Sequence, residues 1–295
     1  MRSDAVAIPA ATVRSRDYVA LAKPRLNMLV VASTLAGYAM GDGEPLGAVR
    51  VAGLLLGTFC VAGGASAFNQ VIERDTDALM RRTRSRPLPA HRLQPPEGLL
   101  FATASTLVGL LVTVAASNLL AAAASLTTLL IYVAVYTPLK RRTSFGTVIG
   151  AIPGALPPII GWAAVANEIS AGAWALFGIM FLWQLPHFLA IAWMCRDDYT
   201  RAGFPMLPVI EPDGRSTGRQ SVVYSAALIP LSLAPRLMHM TGDAYFAGAL
   251  LLGVIFLWLS IRFARSRADA DARRLFFGSI LYLPLLWILM IADKL

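Results

Sequence analysis

The chain has 295 residues, of which 57% are apolar and only 15% are charged, and its mean hydropathy is +0.62. Soluble domains normally carry about 25% charged residues, so the composition excludes an ordinary soluble enzyme and indicates a protein that lies in lipid. Both cysteines, Cys60 and Cys195, lie in apolar stretches, which excludes a disulfide framework and a cysteine-based metal site.

Residues 1–22 come before the first long apolar stretch and contain several arginines. No sustained apolar core precedes these arginines, so we do not expect a cleaved secretory signal. The sequence instead predicts a cytoplasmic amino-terminal segment over residues 1–22 and a single membrane domain over residues 23–295.

Nine apolar stretches in the rest of the chain are long enough to cross about 30 Å of hydrocarbon. In chain order they cover residues 25–41, 49–69, 97–116, 119–138, 145–166, 171–195, 220–238, 245–264 and 274–292. They predict an all-α membrane protein with nine transmembrane helices in one bundle. Only Ser117 and Asn118 separate the third stretch from the fourth, so a count of eight is the alternative.

The distribution of the basic residues favours nine spans. With nine, 23 of the 26 Lys and Arg residues fall on one side of the membrane, and only Arg50, Arg236 and Lys294 fall on the other. Because cytoplasmic loops carry an excess of Lys and Arg, we expect the amino terminus in the cytoplasm and the carboxyl terminus in the periplasm of a bacterial inner membrane. The net charge of +9 is then mainly a topology signal, and no nucleic-acid partner is expected.

The second span continues into a segment with regularly spaced polar residues on the basic side. Asn69, Glu73 and Asp77 are four residues apart, so on a helix they form a stripe about 12 Å long on one face, which Arg81 would extend by a turn. Carboxylates one turn apart suit Mg²⁺ shared with a diphosphate, and flanking arginines would neutralise the remaining phosphate charge. The alternative is a solvated helix end whose acids pair with Arg74 and Arg81.

The connection between the fourth and fifth spans places Tyr136 and the cations Lys140, Arg141 and Arg142 at the membrane surface. By itself this is an ordinary cytoplasmic loop. Beside a diphosphate site, its cations would bind the substrate.

The fifth span contains glycines and prolines throughout residues 150–161. This pattern predicts a kinked helix that packs closely against its neighbours.

The sixth span contains His187, eleven residues before Asp198, so the two side chains share a helix face if Pro186 leaves the register intact. The histidine would lie about 16 Å deeper than the aspartate, and an ionisable group at that depth is a functional candidate. The alternative is a neutral imidazole that bonds to Gln184 or to a carbonyl freed by Pro186.

Six stretches of this chain together resemble a known family. They are NQVIERDTDALMRRTRSRPLP, YTPLKRRT, IPGALPPIIGWAA, WQLPHFLAIAW, DDYTRAGFPMLPV and DGRSTGRQ. From Lys23 to the last span, the chain resembles the intramembrane aromatic prenyltransferases, which have nine helices and two acidic motifs facing a lateral cavity. Within them it is most similar to the protoheme IX farnesyltransferases, or haem O synthases.

The resemblance implies that a farnesyl group passes from farnesyl diphosphate to the 2-vinyl group of haem b, with addition of a hydroxyl and release of diphosphate. The product, haem O, would serve a terminal oxidase. It implies a cavity open to the cytoplasmic side, a lipid bilayer as environment, and haem A synthase or a terminal oxidase as assembly partners.

The resemblance also implies roles for individual residues. Metal binding, to Mg²⁺, would fall to Asn69, Glu73, Asp77 and Asp198. Diphosphate binding would fall to Arg74, Arg81, Lys140 and Arg141. Tyr136 would steady the allylic cation through its ring face, and His187 would be an axial haem ligand.

The chain departs from relatives that prenylate quinone precursors at two positions, with Glu73 and Ala202 where aspartates are common. Three alternatives remain at this point. The acceptor could be a quinone precursor or a chlorin, the protein could be an ion-coupled transporter, or it could be a structural assembly subunit.

Overall fold

A computed structural model describes residues 10–295, and over this range the chain is helical, without a β-strand. Arg2 and the rest of the extreme amino terminus lie outside the described residues. The helices are α1 (Ala10–Ala22), α2 (Pro24–Met40), α3 (Ala48–Leu79), α4 (Pro95–Ala116), α5 (Leu119–Leu139), α6 (Gly146–Ala166), α7 (Ala171–Met194), α8 (Arg196–Arg201), α9 (Leu207–Ile210), α10 (Arg215–Leu237), α11 (Asp243–Ser266) and α12 (Asp269–Ala292).

The predicted spans all coincide with long helices, namely α2 to α7 and α10 to α12. Within residues 10–295, seven of these helices are long and apolar enough to cross a membrane: α3 to α7, α11 and α12. Helices α1 and α2, which meet at an angle of 41°, make an eighth if they form one bent span. The all-helical membrane architecture is therefore confirmed, whereas the count of nine stays a prediction.

Helix α10 is the long helix whose composition is least apolar, and the structure gives the reason. Three of its serines, Ser221, Ser225 and Ser232, are buried. The Ser225 hydroxyl lies 2.7 Å from the Ser260 hydroxyl of α11, and the Ser232 hydroxyl lies 2.9 Å from that of Tyr282 on α12. Small polar residues that form hydrogen bonds between helices are typical of membrane bundles. The polar residues of α10 therefore belong to its contacts with α11 and α12.

The two ends of the bundle separate the basic residues as the sequence predicts. Arg50 donates to the Ala116 carbonyl at 2.9 Å, and Lys294 donates to the Ala39 carbonyl at 2.9 Å, which places both cations at the end where α2, α4 and α12 finish. At the other end lie the remaining basic connections, joined for example by the Arg196–Asp269 ion pair at 2.7 Å. Which end faces the cytoplasm stays a prediction.

The helical assignment of α6 is interrupted at Leu156, within the segment where the sequence predicts a kink. Its glycines and prolines allow α6 and α2 to touch through their backbones. A Cβ atom on Gly161 would overlap the Thr34 carbonyl of α2, and one on Gly37 would overlap the Pro158 carbonyl of α6. This contact fixes α2 against the centre of the bundle.

Candidate active site

The predicted polar stripe on α3 is present and buried. Helix α3 continues 32 residues from Ala48 to Leu79, and Asn69, Glu73 and Asp77 are 3%, 2% and 1% exposed. The interpretation of this segment as a solvated helix end is therefore wrong. The expected extension to Arg81 is also wrong, because α3 ends at Leu79 and Arg81 lies in the turn that follows.

Glu73 is paired with Lys140, from the connection that follows α5. The ammonium nitrogen of Lys140 lies 2.6 Å from each carboxylate oxygen of Glu73. Both oxygens therefore face the ammonium, which donates a hydrogen bond to Oε2. The same ammonium lies 5.4 Å from the ring centre of Tyr136 and 5.3 Å from that of Phe204, close enough for cation–π attraction.

Asp77 is paired with Arg86, a residue that the sequence analysis did not select. The Arg86 guanidinium lies 2.6 Å from Asp77 Oδ2, and the Asp77 side chain is only 1% exposed. The intervening turn is held by Thr83, whose hydroxyl donates to the Asp77 carbonyl at 2.8 Å. Arg86 follows a turn, so helical spacing could not place it beside the stripe.

A π-helical turn positions the Tyr136 ring. Helix α5 changes to π-helical geometry over Ile131–Tyr136, and such turns are frequent at functional sites. The Thr137 hydroxyl donates to the Tyr132 carbonyl at 2.8 Å and accepts from Asn69 Nδ2 at 3.3 Å, which links this turn to α3. Gly150 of α6 contacts the Tyr136 ring where a side chain would not fit.

Lys23 adds a further cation that sequence reasoning missed. It joins α1 to α2 with a left-handed backbone, at φ 46° and ψ 58°. Burial, with smaller contributions from the nearby cations Arg86 and Lys140, lowers its pKa to about 7. A strained backbone that holds a disfavoured charge beside other cations is typical of an anion-binding site.

Asp198 lies against the turn after α3 rather than beside Glu73 and Asp77. Its carboxylate accepts hydrogen bonds from the backbone N–H groups of Arg81 at 3.1 Å and Arg82 at 3.4 Å, and it pairs with Arg201. Among the residues that the structure describes, no three Asp, Glu, His or Cys side chains converge as a metal site. The predicted metal-ligand set therefore stays a prediction.

The other cations predicted to bind diphosphate are exposed. Arg74 pairs with Asp75 at 3.4 Å, and Arg81 and Arg141 are at the surface of connecting turns. Arg82 lies over the Tyr199 ring, 5.2 Å from its centre, and donates to the Tyr199 hydroxyl at 3.0 Å. Diphosphate binding by Arg74, Arg81 and Arg141 stays a prediction.

His187 lies apart from the acids, in an aromatic stack between α7 and α12. Its ring lies 5.4 Å from the Trp183 ring and 5.0 Å from the Phe276 ring, nearly parallel to both. Its Nδ1 is 2.7 Å from the Ser279 hydroxyl, whereas Gln184 bonds to the Ala151 carbonyl instead. The bond to Gln184 that the alternative interpretation allowed is therefore absent, and haem ligation by His187 stays a prediction.

A surface cleft of about 190 Å³ lies between α6, α7, α9 and α10. Its lining consists of Ser144, Phe145, Thr147, Val148, Leu185, Leu189, Leu207, Gln220 and Tyr224. These residues include none of the predicted site residues, so the predicted lateral cavity beside the acids stays a prediction.

Comparison with known proteins places this arrangement in a family. Residues 30–283 match the model of the UbiA prenyltransferase family. This chain belongs to the UbiA prenyltransferase family. The matched range contains the buried acids of α3 and their partners Lys140 and Arg86, so the site described above lies within the UbiA region.

Relatives in the UbiA family are similar over nearly their whole length. A protoheme IX farnesyltransferase from Solibacter usitatus is 46% identical over 288 residues, covering 95% of this chain and 99% of the relative. One from Myxococcus xanthus is 42% identical over 295 residues, covering 100% of this chain and 99% of the relative.

Solved structures show the same fold at low identity. A digeranylgeranylglyceryl phosphate synthase has a TM-score of 0.78 at 15% identity, covering 94% of this chain and 97% of that one. A UbiA homologue from Archaeoglobus fulgidus bound to GPP and Mg²⁺ has a TM-score of 0.67 at 17% identity, covering 93% and 99%. These likenesses confirm the fold.

Proposed function

We propose that this protein transfers the farnesyl group of farnesyl diphosphate to the 2-vinyl group of haem b, giving haem O. The vinyl carbon forms a bond to the farnesyl C1 as the bond from C1 to diphosphate breaks, and water supplies the hydroxyl and releases a proton. The observation that supports this most directly is the buried cluster of acids and cations at one end of a membrane bundle, in a chain whose full-length relatives are protoheme IX farnesyltransferases.

The donor set fits a hard divalent ion. Glu73 and Asp77 are buried carboxylates one helical turn apart, and Asn69 adds an amide oxygen one turn on the other side of Glu73. Mg²⁺ prefers such oxygen ligands together with substrate phosphates. These three residues would hold Mg²⁺, which when bound stabilises negative charge on the leaving diphosphate.

The cations around the stripe would bind and neutralise the diphosphate. Lys140 pairs with Glu73, Arg86 pairs with Asp77, and Lys23 is near enough to interact with the charge of both acids, although the three cations come from three different connections. Preorganised cations at the position where charge develops lower the barrier to bond breaking. Tyr136 and Phe204 flank the Lys140 ammonium, and the face of Tyr136 would also steady positive charge on the farnesyl C1.

The acceptor would approach from the apolar interior of the bundle. His187 lies among stacked rings, a surface that suits a flat macrocycle, and its Nδ1 bond to Ser279 would orient the ring if Nε2 ligates iron. We further propose a bacterial inner membrane location with a cytoplasmic amino terminus, and delivery of haem O to a haem A synthase or terminal oxidase in that membrane.

The test is a haem extraction from cells that lack their own haem O synthase. Expression of this protein should produce haem O, whereas variants Glu73→Gln and Asp77→Asn should produce none at equal protein levels in the membrane. If both variants make as much haem O as the parent, the proposed site is wrong. If the parent makes none, but prenylates a quinone precursor or chlorin, the proposed acceptor is wrong.

A further inference from the structure

Each carboxylate of the α3 stripe is neutralised by a cation from another segment. Glu73 is paired with Lys140 and Asp77 with Arg86, both at 2.6 Å. The carboxylate side chains are 3% and 1% exposed, so neither charge is left to solvent. Removing one member of such a buried pair is strongly unfavourable, because the other charge stays buried and unpaired.

The Lys140 ammonium occupies the position that a chelated metal ion would take. It lies 2.6 Å from both oxygens of Glu73, between them, which is the arrangement of a bidentate carboxylate around a cation. A divalent ion that binds Glu73 in this way must therefore displace Lys140. A diphosphate that binds Lys140 and Arg86 must likewise displace the carboxylates of Glu73 and Asp77 from these two cations.

Building on the proposed function, we infer that Mg²⁺ and diphosphate bind this site by exchange of ion-pair partners, so that each binds weakly alone and tightly with the other. Metal alone leaves two partly buried cations unpaired, since Lys140 is 15% and Arg86 26% exposed, and diphosphate alone leaves two buried carboxylates unpaired. When both bind, the carboxylates hold the metal, the cations hold the diphosphate, and all charges are paired again. The coupling is reciprocal, since each ligand raises the affinity for the other by the same factor.

Two aromatic rings beside Lys140 can hold its ammonium after it leaves Glu73. Its ammonium already lies over the Tyr136 and Phe204 rings, which attract a cation independently of Glu73. Phe204 is fully buried and packs with Met80 and Met206. The aromatic contacts therefore keep the displaced ammonium within the site, where diphosphate can bind it.

The test uses the full-length protein in detergent, with Mg²⁺ alone, inorganic diphosphate alone, and both at calculated free concentrations, followed by calorimetry. The wild type should bind each ligand at least about tenfold more tightly when the other is present, a coupling of about 1.4 kcal/mol. Lys140→Met and Arg86→Gln should bind Mg²⁺ alone more tightly than the wild type and diphosphate alone more weakly. Equal affinities with and without the second ligand would overturn the inference.

A variant that binds Mg²⁺ more tightly and diphosphate more weakly distinguishes partner exchange from damage to the fold. A variant that merely loosens the site should lose affinity for both ligands, and that outcome in both variants would also overturn the inference. Arg215→Met is the control, because it removes an exposed ion pair with Asp213 and should leave both affinities unchanged. The measurement needs no haem, so partner exchange with no haem O formed would mean that only the proposed acceptor is wrong.

Discussion

At the scale of single residues, the Glu73–Lys140 pair has both a structural and a chemical role, and a double substitution separates them. Glu73→Gln leaves a buried ammonium whose side chain is only 15% exposed, so we expect a loss of roughly 3–5 kcal/mol of stability and loss of activity. Glu73→Gln combined with Lys140→Met should recover most of the stability, because no charge is left unpaired, but none of the activity. Thermal unfolding and haem O formation measure the two effects.

The control for this prediction is Asp75→Asn, which alters a carboxylate on the same helix that is 84% exposed. It should change neither the melting temperature nor the activity. Recovery of activity in the double variant would contradict the catalytic role of Glu73.

The positive charge of Lys23 should lower the free energy of unfolding, and this effect should depend on pH. Because its pKa is lowered to about 7 from the usual 10.5, the unfolded chain holds more protons than the folded one between these values. Stability linked to Lys23 therefore rises with pH across this window. Lys23→Met should raise the melting temperature at pH 6 to 7, and its advantage should shrink as the pH approaches 10. An equal advantage at all pH values would contradict the assignment of this effect to the Lys23 charge.

The site residues whose common face spacing alone could predict lie on one continuous helix. Asn69, Glu73 and Asp77 obey a single helical period, so their common face follows from their spacing. Arg86 and Lys23 belong to a turn and a bend, where no periodicity relates a side chain to the stripe. Arg81 was misplaced for the same reason, since the spacing says nothing about where the helix ends.

At the scale of elements, the contact between α2 and α6 should tolerate no added atoms. Gly161→Leu places a side chain against the Thr34 carbonyl, and backbone atoms have no room to retreat in a packed interior. We expect little folded protein in the membrane and a lower melting temperature for what is recovered. Gly47→Leu, at a glycine with no neighbouring atom within 4 Å, should behave as the wild type. Similar yields for both variants would contradict the backbone contact.

Asp198 should hold the turn after α3 without any metal. Asp198→Ala removes the acceptor of two backbone N–H groups, so hydrogen exchange at Arg81 and Arg82 should accelerate in metal-free protein. The neighbouring exposed residue gives the control, Asp197→Ala, which should leave exchange unchanged. Unchanged exchange in Asp198→Ala would mean that the carboxylate does not fix this turn.

The elements themselves were predictable to different degrees. Long apolar runs gave the positions of the helices, and the prolines of α6 gave its interruption, because both act through local chain chemistry. The π-helical turn over Ile131–Tyr136 was not predicted, although Pro138, which cannot donate a helical hydrogen bond, follows it closely. The placement of Asp198 depends on two segments that are distant in sequence.

At the scale of the whole molecule, the charge distribution and the site belong together. The basic connections gather at one end of the bundle, which predicts its orientation in the membrane, and three of their cations interact with the acids of α3. The family likeness extends over nearly the whole chain, so the function that the sequence resemblance implied agrees with the relatives found. The haem site depends on how α7 and α12 accommodate a macrocycle, which sequence spacing alone does not specify.

The most direct measurement is the mass of the product formed by purified protein from haem b, farnesyl diphosphate and Mg²⁺. We expect a haem heavier than haem b by one farnesyl group and one hydroxyl, formed together with an equal amount of diphosphate, and neither product when farnesyl diphosphate is omitted. Unaltered haem b after complete incubation with folded protein would contradict the proposed reaction.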